Sequence, residues 1–204
     1  MLNRLQLSTI LIIACLIWGG LLIAQGVAVR ANWLNPVSSV IGLMVILLLG
    51  FEHWMWRLAC LREWFVQRPD LRGTWTVELT SSWVDPTVQM KISPITAFLV
   101  IRQTYSTISA RLLTAESSSE LRGAEIMRAT DGTYRLVGVY LNEPRVGVRD
   151  RSPIHFGALV IDVQGVPPSG LSGHYWTDRN TRGEIESKGH SRNLAARFAE
   201  TGSA

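Results

Sequence analysis

Two long uncharged runs open the chain, and an alternation of apolar and polar positions fills most of the remainder. Leu5 to Val29 carry no charged side chain, and neither do Ala31 to Phe51. A bilayer core about 30 Å thick is crossed by roughly 20 apolar residues of helix, so each run is long enough to span. The interruption, Arg30 to Pro36, is too short for a domain and suits a tight re-entry. A cleaved signal peptide fits poorly, because the first run outlasts a usual h-region and a second comes directly after it. The pattern predicts a two-span transmembrane hairpin over 1–60.

From Gly73 the period becomes two. Trp75, Val77 and Leu79 alternate with Thr74, Thr76 and Glu78, as in a half-buried strand. The alternation returns over 95–105, 107–114, 121–129, 134–142, 154–162, 171–178 and 183–188, separated by turn formers such as Asp131-Gly132, Pro167-Pro168 and Arg182-Gly183. About eight strands with short connections are antiparallel neighbours, and closing such a meander removes its edges and leaves room for one small ligand. The expected fold is therefore the helical hairpin followed by an all-β domain, an antiparallel, up-and-down β-barrel of about eight strands; a β-sandwich is the alternative. The domains are the hairpin (1–60), a linker (61–70), the barrel (71–192) and a tail (193–204). Ser81 to Pro94, the longest connection, is a candidate lid. Glu116 to Glu120, all polar, reads as a solvated turn.

Charge gives the orientation. Arg4 precedes the first span, and Arg57, Arg62, Arg68 and Arg72 come after the second, whereas the intervening loop holds only Arg30. By the positive-inside rule both termini and the β domain of this two-span arrangement face the cytoplasm. Trp33 on one side and Trp54, Trp56 and Trp64 on the other are expected interfacial anchors. The net charge of +4 and pI near 9.5 come without a Lys/Arg block, which favours anionic lipid as partner over a nucleic acid polymer. Cys15 and Cys60 have neither metal spacing nor a plausible disulfide, as in a reducing compartment. Gly20, Ala24 and Ala28 form a small-residue stripe along the first helix, suited to close packing within the hairpin or between chains.

No catalytic constellation stands out. His53, His155, His174 and His190 are isolated, and there is no nucleophile elbow, metal motif or phosphate-binding loop leading into a helix. The chain therefore reads as a binder, not an enzyme, with no cofactor or metal. Polar groups inside apolar alternation are the candidates. Tyr175, Thr177 and Arg179 share one face, opposite His174, Trp176 and Asp178. Tyr140 continues the Leu136/Gly138 face and Asn142 ends it, while Gln103 and Tyr105 extend the Leu99/Ile101 face. An Arg beside an aromatic can pair with phosphate and stack on a base.

The order of short motifs carries a resemblance. After the hairpin come Leu71-Arg-Gly-Thr-Trp75, Val100-Ile-Arg-Gln-Thr-Tyr105 before a Ser-rich loop, Tyr140-Leu-Asn-Glu-Pro144, His155-Phe-Gly157, and Gly173-His-Tyr-Trp-Thr-Asp-Arg179 with Gly183. The chain resembles the two-transmembrane, β-strand-rich effectors associated with CD-NTases in CBASS anti-phage defence. The resemblance implies a minimal β-barrel that binds a cyclic di- or oligonucleotide made by a partner CD-NTase. It also implies that the ligand drives homo-oligomerisation and disruption of the inner membrane, ending the infection with the cell. On this resemblance the ligand contacts are Tyr105, Tyr140, Asn142, Tyr175, Thr177 and Arg179, and Gly20, Ala24 and Ala28 serve membrane assembly. The competing readings are a membrane-tethered, lipocalin-like binder of an apolar ligand and a structural adaptor whose barrel interior is filled.

Overall fold

A computed structural model describes residues 4–24, 37–62, 64–84 and 89–198, without the side chains of 4–8 and 37–39. The chain divides into two compact units, Met1–Gln67 and Arg68–Ala204.

In the first unit, the uncharged runs form helix α1 (Arg4–Ala24) and helix α2 (Val37–His53). Leu11, Ile12, Leu16 and Ile23 of α1 and Ile41, Val45, Ile46 and Leu49 of α2 are all exposed. Among the described residues, whose side chains cover 9–24 and 40–53 of these helices, no helix is long and apolar enough to cross a membrane. Gly20 and Ala24 lie on α1, whereas Ala28 and Trp33 lie outside the described residues. Past α2, the Arg57 guanidinium donates to the carbonyls of His53 (2.6 Å) and Trp54 (3.3 Å), placing a cation at the C-terminal end of the helix. Trp54 and Trp64 are exposed, but Trp56 is 1% exposed. The expectation of an interfacial anchor fails for Trp56, since a buried indole presents no face to headgroups.

In the second unit, eight strands close into a barrel in sequence order. They are β1 (Gly73–Ser81), β2 (Ile95–Gln103), β3 (Ile108–Leu113), β4 (Ser117–Arg128), β5 (Tyr134–Pro144), β6 (His155–Gln164), β7 (Gly170–Thr177) and β8 (Arg182–Ser191). Every neighbouring pair is antiparallel, and β8 returns to β1 from Thr74↔Ser191 to Ser81↔Gly183. That closing ladder rules out the sandwich. The Glu116–Glu120 segment is corrected: only Glu116 of it stays in the β3–β4 connection, with Thr114 and Ala115, and Ser117 opens β4, pairing with Pro144 of β5.

Pleating sends alternate side chains inward. Trp75, Val77, Leu99, Ile101, Leu136, Ile161 and Leu171 are each at most 1% exposed and fill the interior. Because neighbours run oppositely, the odd strands end at one mouth and the even strands at the other. At the mouth where even strands end, polar contacts tie down the entering chain and the tail. Gln103 receives the Leu71 N–H on Oε1 (2.9 Å) and donates from Nε2 to the Pro69 carbonyl (2.9 Å), pinning the chain as it enters β1. Asp70 takes a bidentate contact from Arg72 at 2.8 and 2.9 Å. Burial alone would raise the Asp70 carboxyl, but the Arg72 hydrogen bond and charge outweigh it and hold the group below the usual carboxylate range. The tail is docked as well: Thr74 Oγ1 donates to Asn193 O (2.7 Å), and Phe198 meets Phe98 edge to face.

Candidate functional site

The mouth where the odd strands end stays open. Short or polar inward side chains there leave a cavity of about 580 Å³, within the range typical of small-molecule sites. Its floor is apolar, including Leu79, Leu121, Leu159 and Ile185; its walls carry Tyr140, Asn142, Tyr175 and Thr177, and its rim carries Arg151 and Arg179. Trp83, Ile92 and Ser93 of the β1–β2 connection also line it, while residues 85–88 of that candidate lid lie outside the described residues.

Each tyrosine ring has a glycine beneath it. Tyr140 pairs with Gly157 across β5–β6, and a Cβ on Gly157 would overlap Cζ and Oη of Tyr140. Tyr175 pairs with Gly183 across β7–β8, where a Cβ would come within 2.7 Å of the ring. The glycines are thus seats that let both phenols lie against the wall. Burial pushes the Tyr140 hydroxyl well above the ordinary phenol range, and the neighbouring Tyr175 and Asp178 add to the shift. Burial likewise raises Tyr175, against a hydrogen bond from Ser81. Both phenols therefore stay neutral at physiological pH and can donate to or accept from a ligand.

Asn142 is 7% exposed and follows Tyr140 on the inward row of β5, which runs on to Pro144 and does not end at Asn142 as the alternation had suggested. Its Oδ1 accepts a hydrogen bond from Ser119 Oγ at 2.8 Å across β4–β5. Ser119 fixes the amide plane and leaves the two Nδ2 donors for the cavity side. The Thr177 hydroxyl is occupied by its own turn: it meets Thr181 Oγ1 at 2.6 Å and receives the N–H groups of Arg179 (3.2 Å) and Thr181 (3.3 Å). That turn moves Arg179 off the strand where the alternation had put it, since β7 ends at Thr177. From the turn, Arg179 reaches across the mouth, with Nη1 donating to Ser152 Oγ (3.0 Å) and Nη2 to the Arg151 carbonyl (3.3 Å).

The structure brings five of the six expected contacts, Tyr140, Asn142, Tyr175, Thr177 and Arg179, to one cavity. Tyr105 is not among the lining residues. It lies in the β2–β3 connection after Gln103, and an even strand ends at the opposite mouth. Gln103 proves to be a satisfied core residue through its contacts with Pro69 and Leu71. Sequence reasoning missed Ser119, Trp83, Arg151 and Glu116. Only Ser119 carried a local signal, since extending the Leu121 alternation back by two places it on the inner face.

A closed antiparallel barrel with an aromatic and polar mouth cavity defines a small-ligand receptor. The family described as Cap15, cyclic dinucleotide receptor domain, matches residues 66–189. The CD-NTase-associated protein 15 of Staphylococcus schleiferi is 23% identical over 179 residues, covering 88% of this chain and 86% of that protein. The chain belongs to the Cap15 cyclic dinucleotide receptor family of CBASS effectors, which makes it a cyclic nucleotide binder.

Proposed function

We propose that the odd-strand mouth of the barrel is the nucleotide site, and that ligand binding there controls a membrane-disrupting assembly. The observation that carries the site is the joint placement of Tyr140, Asn142, Tyr175 and Arg179 on one cavity within the stretch matched by the receptor family. A cyclic dinucleotide brings two phosphates and two flat bases, so its site needs a guanidinium, neutral donors and aromatic faces. Arg179 takes a phosphate, the Asn142 amide reads a base edge or ribose hydroxyl, and the two phenols face the bases. The nucleotide is made by a partner CD-NTase.

The membrane part of the proposal rests on α1 and α2, whose exposed apolar side chains suit a lipid environment better than water. The 1–60 segment crosses the inner membrane twice, the linker (61–70) comes next, and the barrel (71–192) and both termini are cytoplasmic. The ligand drives homo-oligomerisation through differential affinity for the assembled state, with Gly20, Ala24 and Ala28 at the helix contacts, and the assembly breaches the membrane. Titration of the detergent-solubilised full chain with cyclic dinucleotides tests the site. Arg179→Lys is expected to weaken binding about tenfold, because a point charge cannot reproduce the planar fork. Unchanged affinity would remove Arg179 from the site. A reporter at Ala204 active only in the periplasm would overturn the orientation, and toxicity retained without 1–60 would overturn the role of the hairpin.

A further inference from the structure

The rim presents its charges unequally. Apart from His155 and the two neutral phenols, the ionisable side chains lining the cavity are the cations Arg151 and Arg179 and the carboxylate Glu116. Arg151 is engaged, its Nη2 in an ion pair with Glu116 Oε1. The Arg179 guanidinium instead meets neutral oxygens, Ser152 Oγ at 3.0 Å and the Arg151 carbonyl at 3.3 Å. The adjacent carboxylate of Asp178 accepts the Phe156 N–H at 3.1 Å and makes no ion pair with Arg179 among the described residues. Glu116 is itself held firmly. Its carbonyl accepts the Arg145 N–H (2.8 Å) and its own N–H donates to Thr114 Oγ1 (3.2 Å), so the β3–β4 turn presents the carboxylate at the rim.

We infer that Glu116 is a specificity-determining charge gate over a second phosphate position at Arg151. This rests on the reading of the cavity as a nucleotide site. The first phosphate of a ligand meets Arg179, which has only neutral partners to give up. A second phosphate gains Arg151 only by displacing the Glu116 carboxylate, which then faces the anion uncompensated. The two phosphate positions are therefore unequal, one open and one guarded. The guard works against further negative charge at the rim and makes binding depend on how well a ligand's second phosphate can compete with a carboxylate.

The ion pair is exposed, with side-chain accessibilities of 64% for Arg151 and 54% for Glu116. Exposed pairs contribute modestly, so Glu116→Gln should tighten a two-phosphate ligand by about two- to fivefold. The probes are cyclic di-AMP, cyclic di-GMP and cyclic di-UMP, with the linear dinucleoside monophosphate ApA as a one-phosphate control. Calorimetric titration of the full chain in detergent is run for wild type, Glu116→Gln, Arg151→Gln and the double variant, with melting temperatures to establish that each folds. The gate predicts a gain in Glu116→Gln for the cyclic ligand, a smaller one for ApA, and no gain once Arg151 is absent. Unchanged or weaker binding in Glu116→Gln overturns the gate, as does a gain that persists in the Arg151→Gln background, which would mark general repulsion. Failure of folded wild type to bind any cyclic probe overturns the reading of the cavity itself, and the gate with it.

Discussion

Replacing Gly157 with alanine tests whether the tyrosine seats exist as described. The added methyl would overlap the Tyr140 ring and stand 2.6 Å from the Trp176 carbonyl. Neither neighbour yields easily, since Tyr140 is 6% exposed and Trp176 sits in the β6–β7 ladder opposite Ala158. Overpacking a closed interior costs about 1–3 kcal/mol, and the double obstruction puts this case at about 2–3 kcal/mol. For a domain of this size, roughly 3–4 °C is lost per kcal/mol, so the melting temperature should fall by about 6–12 °C. Removing the ring first, with Tyr140→Leu, takes away the two nearest contacts and leaves the Trp176 carbonyl. The Gly157→Ala cost should then shrink by about 1–2 kcal/mol, a coupling visible in a double-mutant cycle. Circular dichroism melts of the four proteins supply the numbers. A melting temperature within a degree or two of wild type, or strictly additive costs, would refute the seat.

Other perturbations separate the two mouths. Ser119→Ala leaves the buried Asn142 Oδ1 without its hydroxyl partner and should cost about 1–3 kcal/mol in chemical denaturation, while weakening nucleotide binding because the amide is no longer held. Gln103→Leu removes both contacts to the entering chain and should cost a similar 1–3 kcal/mol in the same assay, yet leave nucleotide affinity unchanged because it acts at the far mouth. Asp70 has a carboxyl pKa lowered in the folded state, so its stabilisation is present above the unfolded carboxylate value near 3.9 and is lost as pH falls through the folded value. Asp70→Asn should therefore lower stability at neutral pH and flatten the acid limb of the stability profile below about pH 4; an acid limb unchanged from wild type would contradict this.

Strand positions are legible because period-two burial is a local signal: Trp75, Val77 and Leu79 declare β1 without help from the rest of the chain. β4 reads short because Glu116-Ser-Ser-Ser-Glu120 has no apolar member, so the Leu121 alternation that points Ser119 inward is easily cut off there, and the polar role of Ser119 rests on Asn142, 23 positions away. Arg179 falls off its expected strand face because the Thr177 hydroxyl captures two N–H groups and turns the chain. Motif order collects Tyr105 with the other candidates but carries no strand direction, so the mouth it belongs to emerges only from the antiparallel closure. Gly157 and Gly183 stand out as motif residues, but their purpose depends on cross-strand register. The Glu116–Arg151 pair links two turns 35 residues apart and has no local trace. Over 5–51 the composition shows two apolar runs, while the described helices cover only part of them and, among the described residues, none is long and apolar enough to cross a membrane.

The proposed nucleotide site stands or falls on the thermal stability of the full chain in detergent, measured across the three cyclic dinucleotides for wild type and for a variant carrying both Tyr175→Ala and Arg179→Lys. A ligand at about a hundred times its dissociation constant stabilises the folded state by about 2.7 kcal/mol, enough for a shift of several degrees. Binding at this mouth predicts such a saturable shift in wild type for at least one nucleotide, and its loss in a variant that still melts cooperatively without ligand. A folded wild type that none of the three shifts, or an equal shift in wild type and variant, would contradict binding at this mouth.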